Sequence, residues 1–382
     1  MAALTRRATK TTTVQQTNQR VVSIDALRGL IMVLMALDHA NMILSGGSSG
    51  EFWGGPLPIF SSVVAFWIRY VTHLCAPGFF FLMGVGMVYF GRSRLKKGWD
   101  DGRVHSVFFR RGLFLIMVHF VLSFLFAVPE MLQGQWGIVF NVLYILGFSM
   151  MAGGWLLSKP ISLLAVLALL SFIIPEILLK SFFVYGHSVN PLIQIITLPG
   201  PMGGSVVYYT FLSWFGLTLA GIIFGRSMAD EHERTVDKLP LISMICFGLF
   251  LMIRWGNSFG NLRPMTENGW MAFLQLTKYP PSMTFALLMM SINLALLYTL
   301  DKLPLSWFPS THPLLVFGRN PLFFYIVHHF VYIIMMFAGF NGLNLNEMLL
   351  LWVVGVAMCY PLCRNFYTFK RSKAEGSVWR ML

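Results

Sequence analysis

Ten apolar stretches, each close to the length that crosses a bilayer, alternate along the chain with short polar segments. They begin near Ser23, Ala65, Val107, Gly137, Ile161, Val206, Leu239, Ser282, Leu314 and Asn346, and each is expected to form a transmembrane helix. The polar segments fall into two sets of opposite character. With the N-terminus in the cytoplasm, one set receives the N-terminal tail, residues 92–111, Lys159, residues 226–238, Lys302, Arg319 and the tail from Arg364. The other receives only Arg69, Lys180, Arg254, Arg263 and Lys278 of the 28 Lys and Arg. Cytoplasmic connections carry the excess of positive charge, so both chain ends are expected there.

The outer connections are then Ser45–Val64, Pro129–Trp136, Ser181–Ser205, Trp255–Pro281 and Gly339–Leu345, several of them long and rich in Gly, Pro, Trp and Tyr. That composition suits walls around a polar substrate, and equally suits loops anchored at the interface by aromatic rings. Residues 1–19 read as a disordered polar tail with no apolar core of its own, so the first helix is expected to be an uncleaved anchor. Residues 20–363 form the membrane domain, and 364–382 a basic tail.

Composition agrees with this pattern. A chain of 382 residues that is 56% hydrophobic and 11% charged, with mean hydropathy +0.68, is too apolar for a soluble fold. The expected class is an all-α polytopic membrane protein. A net charge of +13 can signal nucleic acid, but here it sits beside apolar runs and contacts lipid headgroups, so no nucleic-acid partner is expected. Cys75, Cys246, Cys359 and Cys363 lie in or next to apolar stretches and read as small buried hydrophobes.

The first helix carries more than a hydrophobic anchor needs. From Arg28 to His39 is an eleven-residue step, about 1100° of α-helix, which brings both side chains within about 20° of one face and about 16 Å apart. Asp25, Met32 and Met35 share that face. Polar groups at such depth are usually functional, because lipid cannot solvate them. Asp25 and Arg28 are spaced to pair at i, i+3. Asp38, about a quarter turn off the His39 face, is expected to take a hydrogen bond from a neighbouring helix.

Five histidines fall in or at the edges of the apolar stretches: His39, His73, His119, His328 and His329. Imidazole exchanges a proton near neutral pH and suits the activation of an attacking amine or hydroxyl. The candidate catalytic set is His39, Asp38, His73 and His328. Arg28, Arg110, Arg111 and Arg319 are candidates for holding phosphate, which arginine grips in bidentate fashion. Arg319 ends one of three Phe-Gly-Arg triplets, at Phe90–Arg92, Phe224–Arg226 and Phe317–Arg319, all on the expected cytoplasmic side. Gly84 and Gly86 are spaced for close helix packing. No phosphate loop, dinucleotide fingerprint or metal-ligand spacing occurs, so no metal is expected.

Ser-Ile-Asp-Ala-Leu-Arg-Gly-Leu-Ile-Met-Val-Leu-Met-Ala-Leu-Asp-His, from Ser23, resembles the first helix of the bacterial heparan-α-glucosaminide N-acetyltransferase-like membrane proteins, and its Arg-to-His spacing is similar to that of membrane acyltransferases more widely. The segments from Thr72 (THLCAPGFFFLMGVG), Thr277 (TKYPPS) and His312 (HPLLVFGRNPLFFYIVHH) resemble later parts of the same family, in the same order. The resemblance implies an enzyme that takes acetyl from cytoplasmic acetyl-CoA and passes it to a sugar or glycan on the outer face of the membrane. It implies that Arg28 lines the coenzyme path and His39 the reacting end, with His73 and Lys278, Tyr279 and Ser282 on the acceptor side and Arg319 to His328 as a second wall. It implies a bacterial inner membrane, and leaves a homodimer open. The chain departs from the lysosomal enzyme of the family, which has an asparagine at the position of His39 and a histidine in the following loop; Asn41–Val64 here contains none. The residues themselves also fit a proton-relaying transporter or a non-catalytic subunit of an envelope-polymer export machine.

Overall fold

The computed structural model describes residues 21–47, 50–131, 137–184, 187, 189–374 and 376–382, the side chains of 128–131 excepted. The expected tail 1–19, Arg20 and most of the connection 129–136 lie outside these residues. The chain runs α1 (Val22–Ser45), α2 (Val63–Thr72), α3 (Cys75–Leu95), α4 (Asp101–Met131), strand β1 (Val139–Phe140), α5 (Val142–Leu156) and α6 (Ile161–Ser181). A connection bearing α7 (Pro191–Ile196), β2 (Gly200–Met202) and β3 (Ser205–Val207) leads to α8 (Phe211–Asp230), α9 (His232–Asp237), α10 (Leu239–Gly256) and α11 (Trp270–Leu274). The last helices are α12 (Met283–Lys302), α13 (Pro313–Arg319), α14 (Pro321–Phe337) and α15 (Leu345–Ser372).

The protein is thus an all-α polytopic membrane protein. Among the described residues eight spans are long and apolar enough to cross a bilayer, α2 with α3 and α9 with α10 each counting as one, and the pair α13–α14 makes a ninth. The tenth expected helix, near Gly137, is α5, whose 15 residues rise only about 22 Å and fall short of the apolar thickness. α15 continues past Cys363 to Ser372, so the helix runs into the start of the expected basic tail.

Local chemistry sets the helix ends. α1 stops where Gly46 adopts the left-handed conformation, φ 69°. Ser62 caps α2 by accepting the Ala65 N–H, and Asn344 and Glu347 form a reciprocal capping box at α15. The break between α13 and α14 lies at Asn320-Pro321. A residue before proline is pushed out of the helical region, Asn320 sits at φ −132°, ψ 53°, and the two helices bend by 105°.

α1, α3, α8 and α12 are half or more buried, whereas α4, α6, α10 and α15 turn most of their surface outward. Small residues set the closest approaches. A Cβ on Gly29 of α1 would lie 1.9 Å from the Leu314 carbonyl oxygen, and one on Gly318 of α13 would lie 1.9 Å from the Asp25 carbonyl oxygen. Gly84 and Gly221 bring α3 and α8 together in the same way, while Gly86 faces the Arg28 guanidinium, 3.8 Å from where its Cβ would be.

The outer connections are joined to one another. Strand β1 pairs with β3 and β3 with β2, a small sheet the apolar pattern did not predict. Trp53 N–H donates to the Tyr279 carbonyl at 2.8 Å, Arg263 to the Gly55 carbonyl at 2.6 Å, and Gln275 to the Pro58 carbonyl at 3.1 Å. Arg254 is buried and donates to the carbonyls of Ala272, Phe273 and Gln275 and to the Asn261 side chain, which ties the 261–275 segment to the end of α10.

Gly318→Ala is expected to lower stability by about 1–3 kcal/mol, because the backbone of α1 must move to admit one methyl group. Gly248→Ala is the control, since its Cβ would meet open space. Thermal unfolding of both variants in detergent measures the difference, and equal melting temperatures would contradict the tight crossing.

Candidate active site

α1 and α14 meet at three histidines. His328 Nδ1 lies 2.7 Å from the Phe324 carbonyl and His329 Nδ1 lies 2.8 Å from the Tyr325 carbonyl. A carbonyl only accepts, so each ring carries its proton on Nδ1 and a lone pair on Nε2. His39 Nδ1 stands 2.7 Å from His328 Nε2, which must accept. His39 therefore donates from Nδ1, and its own Nε2 is left with the lone pair. The His39 ring stacks on His328, tilts against His329 at 4.2 Å between centroids and meets the edge of Tyr325. His328 and His329 are buried, and His39 is the half-buried member of the three.

Beside the histidines lies a buried charged cluster. Arg69 on α2 donates from Nε and Nη2 to both Glu51 oxygens, at 2.8 and 2.7 Å, and from Nη1 to Asp38, which also accepts from Thr72 at 3.3 Å. Burial alone would raise the Glu51 carboxyl, but the Arg69 guanidinium holds it down at about 2. His73 Nε2 is 3.6 Å from Glu51. The Glu51 carbonyl accepts from the backbone N–H of Lys278 and of Tyr279, both at 3.1 Å. Lys278 is 3% exposed and acts electrostatically on Asp38, His39, Glu51 and His73, yet its ammonium makes no hydrogen bond among the described residues; it lies 5.2 Å from the Tyr279 ring centroid. Tyr279 packs against Phe52, Tyr208 and Tyr209.

At the start of α1 a second polar group forms. Arg28 donates to Asp25 at 3.0 Å and to the Gly318 carbonyl at 3.1 Å. Arg319 approaches the other Asp25 oxygen at 3.6 Å and donates to the Ser310 carbonyl at 3.1 Å. One buried carboxylate thus gathers two arginines from helices far apart in the chain.

The model of the family described as heparan-alpha-glucosaminide N-acetyltransferase, catalytic, matches residues 20–255. The chain belongs to this family. It is accordingly a multi-pass membrane protein of acetyltransferase type. A search of curated proteins finds no match. The matched range contains the first helix and the segment from Thr72, and ends before the segments at Thr277 and His312. In the fold those two segments complete the same site, through Lys278 on one side and His328 on the other.

Within this family member, the candidates read from the sequence are brought together in part. His39 and His328 are in direct contact, Asp38 takes its hydrogen bonds from α2 as expected, and Arg28 and Arg319 share Asp25. Arg110 is exposed and donates to the Ser106 carbonyl, and Arg111 lies over the Phe90 ring. Ser282 is buried as the cap of α12, accepting the Phe285 N–H. Arg92 and Arg226 of the Phe-Gly-Arg triplets are also engaged, Arg92 with Asp230 and Arg226 with the carbonyls that end α5. His119 is buried in α4 against Tyr144 and Phe140.

Glu51 and Arg69 were not foreseen as site residues. One signal pointed to Arg69: it is among the few cations on the side of the membrane where cations are scarce. Arg69, Lys278 and Arg254, three of those five, are all buried.

Arg69→Met leaves Asp38 and Glu51 as carboxylates without their counter-ion, and is expected to cost about 3–5 kcal/mol. Adding Glu51→Gln should restore part of the loss. A carboxyl whose folded pKa is depressed contributes stability above its ordinary value of 4.5 and loses it as pH falls towards 2, so the parental protein should weaken over that range and the double variant less. Chemical denaturation of the three proteins at pH 7 and pH 3.5 tests both expectations.

Proposed function

We propose that this protein takes acetyl from cytoplasmic acetyl-CoA, held at the Arg28 end of α1, and transfers it to a hydroxyl or amine of a sugar or glycan at the His39 end, on the outer face of the membrane. The observation that carries this reading is the proton order of the histidines, which leaves Nε2 of the half-buried His39 as a base one long cofactor arm from Arg28. The family match and the charge pattern of the polar segments support the donor and its side of entry.

The chemistry follows from the neighbours. The acceptor gives its proton to His39 Nε2 as its oxygen or nitrogen attacks the thioester carbonyl carbon. The imidazolium that forms donates from Nδ1 to His328 Nε2, so the pair stabilises the charge. Asp38 and Glu51 are held by Arg69, and the Arg69 and Lys278 charges act on the His39 ring through space. The buried Lys278 ammonium, with no acceptor among the described residues, suits the oxyanion of the tetrahedral intermediate. Collapse breaks the carbon–sulfur bond, and the thiolate of coenzyme A takes the proton back from His39. Arg28 and Arg319, close together at the other end, suit the phosphates of the coenzyme, and Tyr279 with its aromatic neighbours suits the apolar face of a sugar ring.

His39→Asn keeps a polar group but cannot shuttle a proton, and should lower acetyl transfer by about a hundredfold or more while coenzyme A binding persists. Assay of the purified protein with radiolabelled acetyl-CoA and extracted envelope glycans checks this; a parental rate would reduce His39 to a structural residue. Arg28→Ala should raise the apparent acetyl-CoA constant by roughly ten- to a hundredfold. Lys278→Met should instead lower the turnover number with the acetyl-CoA constant little changed. Equal shifts in that constant for the two variants would overturn the assigned ends.

A further inference from the structure

His329 has no part in the transfer just described. Its Nδ1 proton is committed to the Tyr325 carbonyl, which leaves its Nε2 lone pair for another partner. One ligand nitrogen from each of the three rings can be chosen so that all lie within 4.8 Å of one another. In the sequence this group is invisible, because His39 comes to the other two across 289 residues.

We propose that His39, His328 and His329 form a binding site for Zn²⁺, and that occupancy switches acetyl transfer off; the inhibitory half rests on the function proposed above. Neutral imidazole is a ligand for zinc, and a ligating histidine commonly donates its other ring N–H to a backbone carbonyl, as His328 and His329 both do. Zn–N bonds of about 2.0–2.1 Å place tetrahedral ligand nitrogens about 3.3 Å apart, so the site closes by small ring rotations. His39 joins by giving up its hydrogen bond to His328; the ring stays neutral, and whichever nitrogen binds, the other keeps the proton. The half-buried His39 leaves a fourth position for water. The nearby charges, Asp38 and Glu51 against Arg69 and Lys278, cancel, so the added ion meets no net repulsion. Zinc held there occupies the lone pair that the acceptor's proton needs.

The purified protein, stripped with chelator, is titrated with Co²⁺, whose visible bands report tetrahedral ligation, and with Zn²⁺ by calorimetry. One metal per chain at micromolar concentration is expected. His329→Gln should weaken binding by about a hundredfold or more while leaving transfer near the parental rate. Zn²⁺ should inhibit the parental protein reversibly and His329→Gln only at correspondingly higher concentration. His328→Gln, checked for monodispersity, provides a second ligand variant. Absence of binding, binding unchanged in both variants, or loss of parental activity on chelation would each overturn the proposal. Metal binding that is lost in both variants, in a protein that transfers no acetyl, would support the site and sink the transferase reading instead.

Discussion

The crossing of α1 and α13 is the contact on which the rest of the site depends. Gly29 and Gly318 let the two backbones touch, so each residue next to them is placed by main chain and not by flexible side-chain packing. At the crossing itself Arg28 and Arg319 are forced onto one carboxylate, Asp25. One residue beyond Arg319 the chain breaks at Asn320-Pro321, and the bend carries α14 along α1 instead of away from it. His328 then reaches His39 farther along α1. A straight helix through Asn320 would take the two histidines of α14 elsewhere.

Charge and proton chemistry are kept on separate groups. Asp38 adjoins His39 in the chain, yet its carboxylate is committed to Arg69, and the partner of His39 is another imidazole. Arg69 makes this arrangement stable, because it satisfies two buried carboxylates with a forked set of hydrogen bonds that one lysine could not supply. The backbone of the 277–279 segment is tied to the Glu51 carbonyl, so the loop that carries Lys278 and the loop that carries Glu51 move as one. Among the described residues the Lys278 ammonium, the Thr277 hydroxyl and His73 Nδ1 of this outer group make no hydrogen bond.

Much of the fold was legible because lipid makes it a local matter. A membrane-spanning segment must satisfy its own backbone, so an apolar run of sufficient length reads as a helix without reference to its neighbours. The same holds for the Arg28-to-His39 stripe and the Asp25–Arg28 pair, which depend only on helical pitch. The Asn-Pro break was written in the sequence but was submerged in a mostly apolar run from Leu314 to Phe337. Arg110 and Arg111 could not be separated from Arg28 and Arg319 by sequence, since charge beside an apolar run looks alike whether it faces lipid, an aromatic ring or a buried carboxylate.

What the sequence by itself determined is the class, the family and the helix that carries both an arginine and a histidine on one face. Only the tertiary structure decided the company these residues keep: His39 with His328 and His329, Arg69 with Glu51 and Asp38, Arg28 with Arg319. It also decided that the Ser282 hydroxyl is used as a helix cap. The reason is physical. Helical periodicity is set within a few residues, whereas the partner of a buried polar group is chosen by which helices pack closely, and here that rests on a few glycine contacts between segments nearly three hundred residues apart.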